Sequence, residues 1–176
     1  MTYTSRKGVW PSNVIAGVGL TPALAILFSA VLALSLVLSS SLSPSVAKMQ
    51  NDTLTVKTAS GEQVFKIEVA RDDADKSRGL MFRRDVPAHT GMLFPYDVPE
   101  ELTMWMKNTY VSLDMVFIRA DGVVHRIEKR TEPFSERIIA SQGAVTAVLE
   151  IAAGESDRLG IKPGDRVIHG HFKGKK

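Results

Sequence analysis

The sequence contains no cysteine. This absence excludes disulfide bonds, thiolate nucleophiles and metal sites built on cysteine. The chain also lacks the patterns G-x-S-x-G and H-E-x-x-H, which mark a large class of serine hydrolases and many zinc proteases. His89 and His125 are isolated, and no third ligand accompanies His169 and His171 on the last predicted strand. We therefore predict no metal and no cofactor, and we interpret the last two histidines as a solvated strand end.

Charged residues are missing from a long segment near the N-terminus. No Asp, Glu, Lys or Arg lies between Gly8 and Ala47, whereas Arg6 and Lys7 stand just before this segment. Its apolar part, residues 14–38, is 25 residues long, enough to cross a bilayer as a hydrophobic helix. The small residues at 45–47 suit a signal peptidase, which would release a chain that begins at residue 48. Residues 1–47 are thus predicted to be a signal peptide or a membrane anchor, and both alternatives stay open.

Either alternative places the rest of the chain outside the cytoplasm, on the periplasmic side, secreted or anchored to the inner membrane. Residues 48–176 carry a net charge of 20 − 19 = +1 and show no basic stripe. We therefore expect no nucleic-acid partner, and contact with the membrane only through an uncleaved N-terminal helix. Residues 48–53 are predicted to be a tether, 54–173 a domain and 174–176 a basic tail.

Two hairpins are predicted from turn residues flanked by alternating apolar residues. A two-residue turn at Ser60-Gly61 would pair Val56 with Phe65 and Leu54 with Ile67. Asp121-Gly122 is the stronger turn signal. The pairs expected around it are Val116 with Ile127, Ile118 with His125, and Asp114 with Lys129, the last as an ion pair.

The remaining pattern predicts short strands and two short helices. Asp72 or Asp73 would begin a helix that Gly79 ends, and residues 154–159 would form another helical turn. The expected strands are 91–96, 102–107, 144–151 and 166–172, with loops at 97–101 and 131–143 and a turn at 162–165. This order of elements indicates an α+β fold, a single compact, mostly-β, barrel-like domain with short helices that follows the N-terminal hydrophobic helix.

Methionine is concentrated in one part of the sequence, where five of the seven methionines fall within 35 residues. Thioethers suit Cu(I), so a Cu(I)-binding periplasmic protein is one hypothesis. On a strand, however, Met104 and Met106 would share a face and Trp105 would point away from them. Methionines that fill gaps in a small core explain the same cluster, and we favour that explanation.

Polar residues that could form a site follow the same strand. Lys107 and Asn108 could bind an oxyanion or a sugar hydroxyl, and Asp114 could accept a proton. Trp105 could stack on a ligand or pack in the core. Arg83 belongs to a basic cluster that could receive a carboxylate or a phosphate. Each of these residues also has a structural explanation in caps, ion pairs or packing.

A series of motifs resembles one known family. The motifs are RGLMFR at 78–83, GMLF at 91–94, WMKNT at 105–109, LDMVFI at 113–118, VLE at 148–150 and GIKPGDRV at 160–167. They resemble domain of unknown function 192, also called uncharacterised protein family 0127. The resemblance implies a compact, mostly-β domain from about residue 54 to 172, and it implies no activity, because none is established for that family. Members usually carry an aromatic residue where this chain has Met104, and the last motif is similar to the turns of cradle-loop barrels, in which an aspartate such as Asp165 ties a turn to a neighbouring strand.

The sequence favours a binding domain over an enzyme. The expected function is that of an exported or membrane-anchored accessory domain, whose partner is a small ligand or an envelope protein. Its expected binding residues are Trp105, Lys107, Asn108, Asp114 and Arg83. The alternative from another class is a hydrolase acting on an envelope polymer, with Asp114 or Glu150 as the general base.

Overall fold

The computed structural model describes residues 50–173. The predicted signal peptide or anchor at 1–47, the first two residues of the tether and the basic tail at 174–176 lie outside the described residues. Within 50–173, no helix is long and apolar enough to cross a membrane.

Seven strands and two short α-helices form the described domain. The strands are β1 (Gln50–Thr58), β2 (Gly61–Val69), β3 (Thr90–Met104), β4 (Leu113–Ile118), β5 (Val124–Glu128), β6 (Ile139–Ala152) and β7 (Arg166–Ile168). The helices are α1 (Asp73–Arg78) and α2 (Glu155–Arg158), and a 3-10 turn, Gly170–Phe172, follows β7. The prediction of a mostly-β domain with short helices is confirmed.

The strands form one sheet in the order β5-β4-β6-β3-β2-β1-β7. Strands β2 and β3 are parallel, and the other pairs are antiparallel. The outer strands β5 and β7 meet at a bridge between Val123 and Arg166, and the Val124 N–H donates to the Asp165 carbonyl at 2.8 Å. The sheet therefore curls until its two edges touch at one end, as a barrel-like fold requires.

The two faces of the sheet bury different sets of residues because side chains alternate along each strand. All seven strands contribute to an inner core, for example Leu93 of β3 and Leu149 of β6. The outer face of the central strands carries a second core, which includes Met92 and Val148 and is covered by Leu80 and Met106 from connecting segments. The central part of the sheet, where β3, β4 and β6 pair, is thus largely apolar on both faces.

The first hairpin has the predicted faces and a different turn. Thr58 pairs with Gly61 around a turn at residues 59 and 60, so that Leu54 pairs with Phe65. The expected pair of Val56 with Phe65 is wrong, because the turn lies one residue earlier than predicted. The shift moves the register by two residues, and the apolar residues of both strands still point inward.

The second hairpin is confirmed at Val116, which pairs with Ile127. The expected pair of Ile118 with His125 is wrong, because an irregularity after Phe117 pairs Ile118 with Val124. The ion pair between Asp114 and Lys129 is also wrong, because the Lys129 ammonium binds Asp157 at 2.5 Å.

Several predicted boundaries change. Residues 50–53, assigned to the tether, already pair with β2. The expected loop at 131–143 ends at residue 138, because β6 begins at Ile139, and the expected loop at 97–101 belongs to strand β3. Irregularities in the register of β3 accommodate this segment and its prolines. The last strand ends at Ile168. The interpretation of His169 as part of a solvated strand end is wrong, because His169 is only 7% exposed and its Nε2 lies 3.1 Å from an Asp52 oxygen.

Both predicted helix starts and the 162–165 turn are confirmed. The Asp72 side chain accepts a hydrogen bond from the Asp75 N–H, and Gly79 ends α1 with a positive φ of 48°. In the turn, the Asp165 side chain accepts from the Lys162 N–H at 2.8 Å, so it closes its own turn. The tie to the neighbouring strand β5 is made by the Asp165 backbone carbonyl.

Candidate functional site

Glu150 occupies an unusual place at the centre of the sheet. It lies on β6, on the outer face, and its cross-strand partners are Met92 on β3 and Met115 on β4. The same row continues to Glu68 on β2 and Glu128 on β5. Residues paired across strands point to the same face, so three glutamates alternate with two methionines along one row.

The three glutamates of this row differ in their partners. Arg83 donates two hydrogen bonds to Glu68, at 2.5 and 2.7 Å. Arg126 and Arg137 bind Glu128, and the hydrogen bond from Arg137 is the first cause of its lowered pKa. Glu150 has no such partner among the described residues, although only 4% of its surface is exposed. Burial alone raises the pKa of Glu150 to about 8, so this carboxyl group is neutral at neutral pH.

Glu150 lines a small cavity of about 110 Å³ on the outer face. Residues from the C-terminal half of α1 and the turn after it line one part of the cavity. The middle of β3, its C-terminal end with the turn that follows, and Glu150 of β6 line the rest. The lining residues are Lys76, Ser77, Arg78, Gly79, Leu80, Met81, Phe94, Tyr96, Thr103, Met104, Trp105, Thr109 and Glu150. The cavity therefore combines a buried acid, two basic side chains, hydroxyl groups and aromatic rings.

Tyr96 and Trp105 are two aromatic residues that line the cavity. The Lys76 ammonium lies 4.4 Å from the centre of the Tyr96 ring. The pKa of Tyr96 is raised, first by burial and then by the charges of Glu100, Glu150 and Asp73. Trp105 is 44% exposed, so it contributes to the cavity without belonging to the core.

Four of the six motifs that carry the family resemblance meet at this cavity. RGLMFR supplies residues 78–81, GMLF supplies Phe94, WMKNT supplies Trp105 and Thr109, and VLE supplies Glu150. These motifs are far apart in the chain, and packing on one face of the sheet brings them together.

Lys107 and Asn108 lie beside the cavity, on the turn that follows β3. The Lys107 ammonium is 5.1 Å from the centre of the Trp105 ring and 3.8 Å from a Glu136 oxygen. Asn108 adopts a left-handed φ of 55°, and its carbonyl accepts a hydrogen bond from the Phe82 N–H. The adjacent Thr109 carbonyl accepts from the Phe134 N–H. This turn therefore holds two neighbouring loops in place through its backbone carbonyls, and the left-handed φ favours asparagine at position 108.

Asp114 is completely buried and is saturated with hydrogen bonds. Its carboxylate accepts from the backbone N–H groups of Arg130, Gly154 and Ser156, at 2.9 to 3.0 Å, and from the Ser156 hydroxyl at 2.5 Å. These bonds connect β4 to the loop after β5 and to the start of α2. The geometry assigns Asp114 to holding these segments together and leaves Glu150 as the acid that faces a cavity.

Arg83 lies on a different, larger cavity of about 570 Å³, where it binds Glu68. The hydrogen bond to Glu68 is the first cause of the raised pKa of Arg83. The predicted binding residues are thus not assembled in one place, since Trp105 and Arg83 line separate cavities.

The methionines divide into two groups. Met92, Met106 and Met115 are buried in the outer core, and the Met106 sulfur accepts a hydrogen bond from the Thr131 hydroxyl at 3.1 Å. Met81 and Met104 line the Glu150 cavity together with Trp105. The expected alternation is confirmed, because Met104 packs against the outer core that contains Met106, whereas Trp105 between them is 44% exposed. Met104 and Trp105 nevertheless line the same cavity.

A family model, DUF192, described as an uncharacterised family, matches residues 55–169. The chain belongs to the DUF192 family. Among curated proteins no match is found. The resemblance inferred from the motifs is therefore confirmed, and the family description assigns no activity.

Two solved structures are similar to this DUF192 domain. One comes from Sinorhizobium meliloti 1021 and is described provisionally as a transcription regulator; it is 41% identical, with a TM-score of 0.67, over 69% of this chain and 95% of its own. The other, from Novosphingobium aromaticivorans DSM 12444, is a protein of unknown function; it is 40% identical, with a TM-score of 0.68, over 71% of this chain and 89% of its own. Because the match covers nearly all of the first protein, a chain of little more than this domain folds by itself.

Sequence reasoning missed Tyr96 and Arg78 as neighbours of Glu150. Tyr96 stands beside the acidic segment predicted to be a loop, and Arg78 is not among the expected binding residues. A signal for Glu150 exists, because it is the one charged residue in the apolar run 144–153 of the DUF192 domain. Its neighbours on β3 can be identified only once the register of β3 against β6 is known.

Proposed function

We propose that this DUF192 protein is an exported or membrane-anchored domain that binds a small ligand in the Glu150 cavity. The observation that carries the proposal is the buried carboxyl group of Glu150, which lines a cavity and has no partner among residues 50–173. A buried polar group without a partner lowers stability, so its presence needs an explanation. A ligand that binds to the carboxyl group of Glu150 would provide this explanation.

The test is thermal unfolding of residues 48–176 with a panel of small acids, amines, sugars and short peptides. A ligand at about a hundred times its Kd stabilises the folded state by roughly 2.7 kcal/mol, which raises Tm by several degrees. The rise should disappear in Glu150→Leu and in Trp105→Ala. It should persist in Lys129→Gln, which removes an exposed ion pair with Asp157 far from the cavity residues in sequence. A rise that survives both cavity variants would contradict the proposed site.

Export is supported by the uncharged segment at 8–47 and the basic pair before it. A fusion of alkaline phosphatase after residue 47 tests this part, since the enzyme is active only outside the cytoplasm. Activity in membranes would indicate an anchor, activity in the soluble periplasmic fraction a cleaved signal, and an inactive fusion would refute export.

Cu(I) binding is the second candidate, and it is favoured by the presence of Met81, Met104 and Trp105 on the same cavity as Glu150. Titration with Ag(I) as a surrogate, followed by native mass spectrometry, tests it. One bound ion that is lost in Met81→Leu and Met104→Leu would establish the metal site, whereas binding unaffected by both changes would exclude it.

The hydrolase hypothesis now depends on Glu150, because every oxygen of Asp114 already accepts hydrogen bonds. A carboxyl group with a raised pKa in a cavity is a competent general base above about pH 8. Release of a product from envelope polymers that Glu150→Gln abolishes would support this alternative over simple binding.

A further inference from the structure

The charges around the Glu150 cavity favour one class of ligand. The basic lining residues Lys76 and Arg78 both come from α1, and Glu150 is the acidic lining residue. The cross-strand neighbours of Glu150 on β3 and β4 are methionines, which carry no charge. The acids at the ends of the row, Glu68 and Glu128, are already bound by arginines.

Glu150 is neutral at neutral pH because burial raises its pKa to about 8. A neutral carboxyl group has one O–H donor in addition to its acceptor oxygen. With Glu150 in this form, Lys76 and Arg78 make the cavity positive. Asp73 and Glu100 lie close enough to affect Tyr96, but neither lines the cavity.

We infer that the cavity binds a carboxylate, which accepts a hydrogen bond from the protonated carboxyl group of Glu150 and pairs with the guanidinium of Arg78. The inference rests on the proposed function, because it names the ligand class of the same cavity. Trp105 and Phe94 offer apolar contact to the carbon atoms attached to the carboxylate. A volume of about 110 Å³ accommodates a carboxylate and a short substituent, since one water molecule occupies roughly 30 Å³ of the liquid.

A carboxyl group that must stay protonated makes binding depend on pH. Below the pKa of Glu150 the proton is already present, so affinity should not change with pH. Above it, each bound carboxylate takes up one proton, and the association constant should fall about tenfold per pH unit. A cation would show the opposite dependence, because it binds better when Glu150 is charged.

The experiment uses residues 48–176, in which Trp105 is the single tryptophan, so fluorescence reports on the cavity wall. The probes are N-acetyl-alanine and its amide, which differ in the carboxylate, together with methylammonium and inorganic phosphate. Titrations run from about pH 6 to about pH 9 at constant ionic strength. A tripeptide with a free C-terminus and its amide distinguish a peptide end from a small free acid.

The expected result is that the acid binds and its amide does not. Affinity for the acid should be constant to about pH 8 and then fall about tenfold per pH unit. Glu150→Gln, which keeps a neutral donor, should bind the acid without this fall. Arg78→Gln should weaken binding about tenfold or more, whereas Arg84→Gln, an exposed arginine outside the lining, should change nothing.

Three outcomes would overturn the inference. Equal binding of acid and amide would show that no carboxylate is recognised, and tighter binding of methylammonium or phosphate would assign another ligand class. In both cases the proposed function survives if binding depends on Glu150. If no probe in this set or in the wider panel changes the fluorescence of Trp105 or the Tm, the proposed function fails together with the inference.

Discussion

Glu150→Gln should stabilise the domain, and increasingly so as the pH rises. In the folded wild type the pKa of Glu150 is about 8, against an ordinary value of 4.5 in the unfolded chain. Between these values the folded state holds a proton that the unfolded state has released, so stability falls as the pH rises. Glutamine has nearly the same shape and no proton to release, so the stability of the variant does not fall in this way as the pH rises.

The size of the effect follows from the width of the window. Each unit of pKa difference corresponds to about 1.36 kcal/mol. From about pH 5 to about pH 7, both inside the window, the wild type should lose roughly 3 kcal/mol relative to the variant. Below pH 4.5 this pH-dependent difference in stability should vanish, because Glu150 is then protonated in both the folded and the unfolded state.

Urea unfolding of residues 48–176, followed by Trp105 fluorescence at several pH values, measures this difference. At usual urea slopes, 3 kcal/mol corresponds to a midpoint difference of about 1 to 3 M. Taking the difference between wild type and variant cancels the contributions of the other titrating groups, such as Asp52, whose pKa is lowered first by a hydrogen bond from the Thr53 N–H. Parallel pH profiles for the two proteins would refute the reasoning, because they would mean that Glu150 titrates at its ordinary value.

Three further substitutions test the site and its support. Asp114→Asn should cost about 3 kcal/mol or more in urea unfolding, because it places an amide donor against backbone N–H donors in a buried position, while Lys129→Gln should leave the midpoint almost unchanged. Gly91→Ala should cost about 2 kcal/mol or more, because its Cβ would lie 2.3 Å from the Glu150 carbonyl, and Gly170→Ala, with open space around it, is the control. Arg83→Lys should cost about 1 kcal/mol by replacing two hydrogen bonds to Glu68 with one; a midpoint equal to that of the wild type would show that the pair contributes nothing.

The sequence predicts those features whose cause is local. Asp121-Gly122 locates the second hairpin, Asp72 begins α1, and Gly79 ends it, because turn and cap residues act on neighbouring backbone. The first hairpin shows the limit: Gly61 follows the turn instead of occupying it, so the register is shifted although both apolar faces are correct.

Features that depend on pairing between distant strands are not predictable in this way. Pro99 and the acidic residues around it indicate a loop at 97–101, yet β3 continues through this segment because its pairing with β6 is irregular there. Alternation correctly separates Trp105 from Met104 and Met106, but it does not predict that Trp105 and Met104 line one cavity. The cavity itself depends on the packing of α1 against the outer face, which no local pattern specifies.

Asp114 and Glu150 show most clearly what a structure adds. Each interrupts an apolar run, and the two lie on the neighbouring strands β4 and β6. Asp114 pairs with Ile151, and the next residue, Met115, pairs with Glu150. Asp114 points to the inner side, where three backbone N–H groups and a hydroxyl compensate for its burial. Glu150 points to the outer side, where no described group does so and its pKa rises. A fold can retain an acid of the first kind for stability alone, whereas the second reduces stability at neutral pH, and ligand binding at the cavity is the compensation that we propose.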